Sequence, residues 1–178
     1  IDRSVSTSIE ASTVEAATGV EVKADKSAGI EALVVALSTA STPAIPVGYG
    51  LGAGGALTAN TIVGSVKAFV DDSAITTSAA SADVVVSAAD NSSISAIADS
   101  GAKLGGGVTA NAVSSSVAFN SIGYNITNLA AKAVDALLGT GLGATANTSL
   151  VTAYVQDSSV DAAGDLSVTA VANTFVNA

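Results

Sequence analysis

The chain has 178 residues, a net charge of −9, and a composition that is 49% hydrophobic but only 3% aromatic. Its six scattered basic residues could not neutralise a run of phosphates, which argues against a nucleic-acid partner. With neither histidine nor cysteine there is no Ser-His-Asp or Cys-His nucleophile, no disulfide and no usual zinc or iron site.

An ordinary globular core needs large side chains to bury enough area. The alanine, valine, serine and threonine that dominate here suit a narrow interior repeated many times. In chain order, Ser4–Glu10 opens as strand-like sequence, and Val20, Val22 and Ala24 then alternate with Glu21 and Lys23. Strict period-two alternation of this kind predicts a half-buried strand. Ile30 and Ala32 begin a second one.

From Ala32 to Val66 no residue is charged. Pro43, Pro46, Asn60, several glycines and many hydroxyls make that stretch poor material for a spanning helix, so no transmembrane helix is expected. The run Gly50-Leu51-Gly52-Ala53-Gly54-Gly55 superficially suggests a phosphate loop but lacks its Lys-Ser/Thr ending and a following helix. These glycines read better as places where backbones approach closely.

Val66–Ala96 looks like a copy of the opening segment. Between its strands lie Asp71-Asp72-Ser73 and Ala89-Asp90-Asn91-Ser92-Ser93, both good turn chemistry. Gly105-Gly106-Gly107-Val108-Thr109-Ala110-Asn111 resembles Gly54-Gly55-Ala56-Leu57-Thr58-Ala59-Asn60, so Asn60 and Asn111 are expected at equivalent positions. In neighbouring rungs their amides could form a ladder. Further on, Ile126, Leu129, Ala130, Ala133, Val134, Leu137 and Leu138 fall at helical spacing, with Asn125 as N-cap and Gly139 as C′ residue. This predicts an inserted amphipathic helix at 126–138, with an apolar strand pair as the alternative.

The closing segment completes the repeat. Ser8–Ala32 overlays Tyr154–Ala178 without a gap, pairing Ser12 with Ser158, Val14 with Val160, Val22 with Val168 and Ala24 with Ala170. Ala68–Ile75 overlays Ala153–Val160, and after a short insertion Asp83–Ala88 overlays Asp165–Ala170. Repeat copies near 5–32, 66–96 and 151–178 therefore predict one continuous all-β segment over 1–178, a parallel β-solenoid (β-helix) carrying the short helix. A rung of about 20 residues would give about nine rungs and a length of about 40 Å. Val168 should face the core and Ser167 the solvent, so an aspartate should be disruptive at the first position and tolerated at the second.

Ala-Tyr-Val-Gln-Asp-Ser-Ser-Val-Asp-Ala-Ala-Gly-Asp-Leu-Ser-Val-Thr-Ala (153–170) resembles the repeats of giant bacterial surface proteins, the filamentous-haemagglutinin-like and adhesin-like β-strand repeat proteins. Phe119–Tyr124 followed by Val134–Gly139 resembles an insertion in the same proteins. The resemblance implies an extracellular, cell-surface β-solenoid serving as stalk, fibre or filament. A second reading is an adhesin module that binds a host or matrix ligand through loops or the inserted helix. It implies no catalytic residues.

The residues themselves agree with a protein that is not an enzyme. Lys67 with Asp71 and Asp72 forms a local cluster of ionisable groups, and it reads as a strand-end turn with a solvated lysine. No catalytic, cofactor-binding or metal-binding residue is expected. Calcium is the one cofactor left open, because Asp71, Asp72 and Asp157 lie at equivalent turns. The nonapeptide pattern of calcium β-rolls is absent, and these aspartates read better as turn residues. Neither end carries a capping pattern, Thr174–Ala178 stops in mid-strand, and edge lysines are scarce. Either covalent continuation in a longer chain or head-to-tail self-association would satisfy such ends.

Overall fold

The structure, a computed structural model, describes residues 1–41, 49–105, 109–123, 136, 139 and 149–177. Those residues are nearly all in strands, which follow one another in three layers. The first layer runs β1 (Val5–Glu10), β2 (Thr13–Ala16), β3 (Val20–Lys26), β4 (Gly29–Ser41) and β5 (Tyr49–Ile62). The second runs β6 (Val66–Asp71), β7 (Ala74–Thr77), β8 (Val84–Asp90), β9 (Ser93–Gly105) and β10 (Thr109–Ile122). The third comprises β11 (Val151–Gln156), β12 (Ser159–Asp161), β13 (Leu166–Ala172) and β14 (Phe175–Asn177).

Each strand pairs in parallel with the strand five places further on. Four three-stranded sheets result, β1-β6-β11, β2-β7-β12, β3-β8-β13 and β4-β9-β14, together with the two-stranded sheet β5-β10. Their registers align the repeat copies residue by residue: Val14 with Ile75 and Val160, Val22 with Val86 and Val168, and Ile30 with Ile94 and Val176. Val14 and Ile75 are 61 positions apart, but Val20 and Val84 are 64 apart. The three extra residues are the short insertion between β7 and β8, where Ser81 adopts a left-handed φ of 64°.

These registers correct the expected rung. Hydrogen-bonded neighbours are 60–64 positions apart between the first and second layers and 82–85 between the second and third, rather than about 20, because five strands separate one layer from the next. Three layers are therefore present among the described residues where about nine were expected. Counting turn signals could not distinguish a strand that turns a corner from one that begins a new layer. The amphipathic helix expected at 126–138 falls outside the described residues except at Ala136, and no inserted helix is seen among those described.

Two apolar clusters fill the interior. The larger lies between the β1-β6-β11 and β3-β8-β13 sheets and contains Val22, Ala24, Val66, Ala68, Val70, Ile75, Val84, Val86 and Ala88. Residues at i, i+2 and i+4 of a strand share one face, so β8 alternates strictly, with Val84, Val86, Ala88 and Asp90 buried. The smaller cluster, Ala28, Ile62, Ile94 and Ala96, lies at the base of the long strands β4, β5, β9 and β10. Further along these strands, a Cβ on Gly54 would lie 2.5 Å from the Gly101 carbonyl oxygen. At Gly54, therefore, two backbones approach closely, as the composition of the segment suggested.

The third layer departs from the alternation. Val86 is fully buried and Val22 is 2% exposed, but Val168 in the same column is 43% exposed. Every residue of β13 is exposed. The expectation that Val168 lies in the core is corrected accordingly.

Candidate functional site

The least expected polar feature is a buried ion pair. Lys26 ends β3 on the same face as Val22 and Ala24, and Asp90 ends β8 on the same face as Val86 and Ala88. The parallel register sets the two side by side. Lys26 Nζ lies 2.8 Å from Asp90 Oδ2, and both side chains are almost completely excluded from solvent. The ammonium also donates to the Gly64 carbonyl at 2.9 Å. Asp90 Oδ1 accepts hydrogen bonds from the Ser92 amide and hydroxyl.

Gly64 is required at its corner. It adopts a φ of +110°, and a Cβ there would lie 2.0 Å from the Arg3 carbonyl oxygen. The Lys26–Asp90 pair thus ties β3 and β8 to the β5–β6 corner, between the two apolar clusters. Taking two charges out of water is costly, and multiple hydrogen bonds to each partner are what make such a pair tenable. Sequence reading missed it by treating Asp90 as a turn residue and ending the alternation at Ala24. Continuing the period by one more step, to Lys26, would have found it.

A second feature repeats through all three layers. Ala11, Asp72 and Asp157 each have a φ of 46° and turn the chain from one strand to the next. Asp72 and Asp157 are therefore at equivalent turns, as expected; Asp71 instead pairs with Gln156 at the end of the preceding strand. After each left-handed residue comes a serine whose hydroxyl donates to the carbonyl two residues back: Ser12 to Glu10, Ser73 to Asp71 and Ser158 to Gln156. Each serine hydroxyl beyond the first also accepts the amide of the serine one layer before it. Ser12 N donates to Ser73 Oγ at 3.1 Å, and Ser73 N to Ser158 Oγ at 3.0 Å. The result is a serine column along a shallow open groove.

The remaining sequence candidates do not converge. Lys67 sits over the Phe69 ring at 4.3 Å and the Tyr154 ring at 5.0 Å, and the two rings stack with centroids 5.1 Å apart. The lysine thus faces aromatics, not the carboxylates of Asp71 and Asp72. The ion pairs seen among the described residues are Lys26–Asp90 and the exposed Lys23–Asp25. No group of three or more acidic side chains that could hold a metal ion occurs among them.

The asparagine expectation is corrected in a specific way. Asn60 pairs with Asn120 in the β5-β10 register and donates to its Oδ1 at 2.9 Å, whereas Asn111 is opposite Leu51. Asn111 is nine positions before Asn120, an odd number, so the pleat sends it to the opposite face of β10. A ladder contact exists, but its second member is Asn120. Ile62 and Ile122, aligned at the base, hold the register. A Thr-Ala-Asn match in an alanine-rich chain carries much less information. Asn91 and Asn173 form another such contact, at 3.3 Å, that sequence reading did not identify.

Large apolar side chains are exposed in several places, among them Val113 and Val117 on β10 and the two groups that follow. One is the third layer, with Leu166, Val168, Phe175 and Val176. The other is the outer face of β4 and β9, where Leu33, Val35 and Leu37 line up along one strand and Ile97 lies opposite Leu33. No helix among the described residues is long and apolar enough to cross a membrane. No protein-family model, curated protein or solved structure matches the chain.

Proposed function

We propose that this chain is a structural segment of an extracellular bacterial fibre, stalk or surface filament, built as a parallel β-solenoid with five strands to the turn. The observation that carries this reading is translational repetition. Backbone bonds joining the first layer to the second recur, at equivalent residues, between the second and third. Val5 N to Ser65 O becomes Val66 N to Leu150 O. Ala74 N to Ser12 O becomes Ser159 N to Ser73 O, and Asn91 N to Lys26 O becomes Asn173 N to Asp90 O. Architectures in which each repeat contacts only its neighbours add length at constant local geometry, which is the property a stalk requires.

The polar chemistry fits a scaffold better than a catalyst. The one buried ion pair seen among the described residues satisfies itself and is closed to solvent, and Lys67 is occupied by two rings. The surface location is supported by the resemblance of residues 153–170 to giant surface-protein repeats. Oriented-sample X-ray diffraction tests the solenoid, with a reflection at about 4.8 Å along the long axis expected for stacked parallel layers. Loss of that reflection, or circular dichroism dominated by helix, would sink the reading.

The exposed apolar face formed by Leu33, Val35, Leu37 and Ile97 favours a second reading as an adhesin module, since contiguous exposed apolar surface marks interaction sites. Saturable binding to one member of a glycan or matrix-protein panel, abolished by Leu33→Lys, would shift the assignment to adhesion.

A further inference from the structure

We propose that Lys26 and Asp90 condense to an amide in the folded chain, a covalent cross-link between the first and second layers. The geometry of the buried pair carries this step, whatever the parent molecule does. Lys26 Nζ and Asp90 Oδ2 are 2.8 Å apart, and the carboxyl carbon is one bond further on. Reacting groups held at about 3 Å in one orientation reach effective molarities that free amines and acids in water never do. Water, which would compete with and reverse the condensation, is kept out: the two side chains are 1% and 2% exposed. Ser92, which bonds to Asp90, is fully buried as well.

The step balances without any further reactant. One ammonium proton passes to Asp90 Oδ2 across the short contact, which leaves a neutral amine, a neutral acid and no buried charge. Lys26 Nζ then adds to Asp90 Cγ, and negative charge collects on Oδ1. That oxygen already accepts from both the amide and the hydroxyl of Ser92. Donors placed where charge develops favour such an addition. A second proton moves from nitrogen to Oδ2, the Cγ–Oδ2 bond breaks, and Oδ2 leaves as water with both protons. Nζ keeps one hydrogen, and Oδ1 becomes the amide oxygen.

The product keeps the partners of the reactants. The Gly64 carbonyl, 2.9 Å from Nζ, accepts the one remaining N–H, and both Ser92 donors stay on the amide oxygen. Two buried charges give way to one neutral, hydrogen-bonded group, which removes the desolvation cost carried by the ion pair. Lys26 and Asp90 are register partners 64 positions apart, so the new bond closes a long loop and restricts the unfolded chain as a disulfide does. The ion pair is the chain before condensation, the state against which variants at either position are compared. Lys23 and Asp25 provide the contrast. Their charged atoms lie 3.2 Å apart, but both side chains are about half exposed, and water there prevents the same reaction.

Intact-mass spectrometry of the purified, folded chain, denatured only for the measurement, should show a mass one water below that of the sequence. Tryptic digestion should leave Lys26 uncut and yield a branched peptide joining residues 24–67 to 68–103, while Lys23 is cut normally. Lys26→Met with Asp90→Leu should keep its full mass. Ser92→Ala should lose its water about a hundredfold more slowly, the scale for removing one donor to a developing oxyanion. A β-rich wild type at full mass with Lys26 cleaved would overturn the proposal and leave the solenoid reading intact. Loss of water with Lys26 still cleaved, the mark of cyclisation at an aspartate, would overturn it too, as would a Ser92→Ala variant that condenses at the wild-type rate. A chain without β-structure would remove the solenoid reading and the cross-link together.

Discussion

Val86 and Val168 occupy the same column, one layer apart, in strands whose sequences overlay without a gap. One is fully buried and the other nearly half exposed. The second layer is paired on both sides and the third on one. Val22 of the first layer, also paired on one side only, is 2% exposed, so identical chemistry is core or surface according to what packs over it and not according to pairing alone. Sequence periodicity reports which face of a strand a residue occupies. Whether that face is buried depends on what packs over it, which the period does not record.

The largest effect should separate the two layers most sharply. Val86→Asp places an unpaired charge in the closed core and should cost more than about 4 kcal/mol, enough to prevent folding. Val168→Asp should cost only about 1 kcal/mol, because its side chain can reach water. Urea denaturation of both variants checks the contrast, and equal losses would mean that the third layer is as buried as the second.

Next in size is the buried pair, which bridges the first and second layers and has Ala172 as its third-layer neighbour. Asp90→Ala leaves the Lys26 ammonium buried without its counter-charge and should cost about 3–5 kcal/mol. Lys26→Met combined with Asp90→Leu should recover most of that loss, because both charges then leave the core together. Thermal denaturation of the single and double variants measures the recovery.

Smaller effects should follow the same gradient of covering. Ser73→Ala removes a hydroxyl that both donates to Asp71 and accepts from Ser12 in a nearly buried site, and should cost about 1 kcal/mol. Ser158→Ala removes the equivalent hydroxyl from an exposed site, where water takes over its bonds, and should cost less than about 0.5 kcal/mol. At the smallest end, Ala11→Gly should stabilise the chain by about 0.5–1 kcal/mol, since alanine there holds a left-handed φ that glycine adopts freely. Differential scanning calorimetry resolves both comparisons.

Much of this architecture was legible in the residues. The overlays of Val14 with Val160 and of Val22 with Val168 are the columns of the structure, and the insertion before Asp83 is where the layer spacing changes. What could not be read was which strands lie side by side, because alternation has the same period whether the partner is 20 or 60 residues away. The same gap explains the Asn111 error, where a short phrase in a low-complexity segment was given more weight than the isoleucines at the strand ends. Lys26 was legible in principle. It keeps the inward phase of β3, and only the habit of placing lysines in solvent hid it.

In-register parallel stacking is the central claim, and engineered disulfides test it most directly because the chain has no cysteine of its own. Ser87 and Thr169 face each other on the outer surface of β8 and β13, so Ser87→Cys with Thr169→Cys lies at about the strand spacing that a disulfide can bridge. The account predicts rapid, near-complete oxidation of that pair and little for Ser87→Cys with Val171→Cys, shifted two residues along β13. Preferential oxidation of the shifted pair, or of neither, would contradict it.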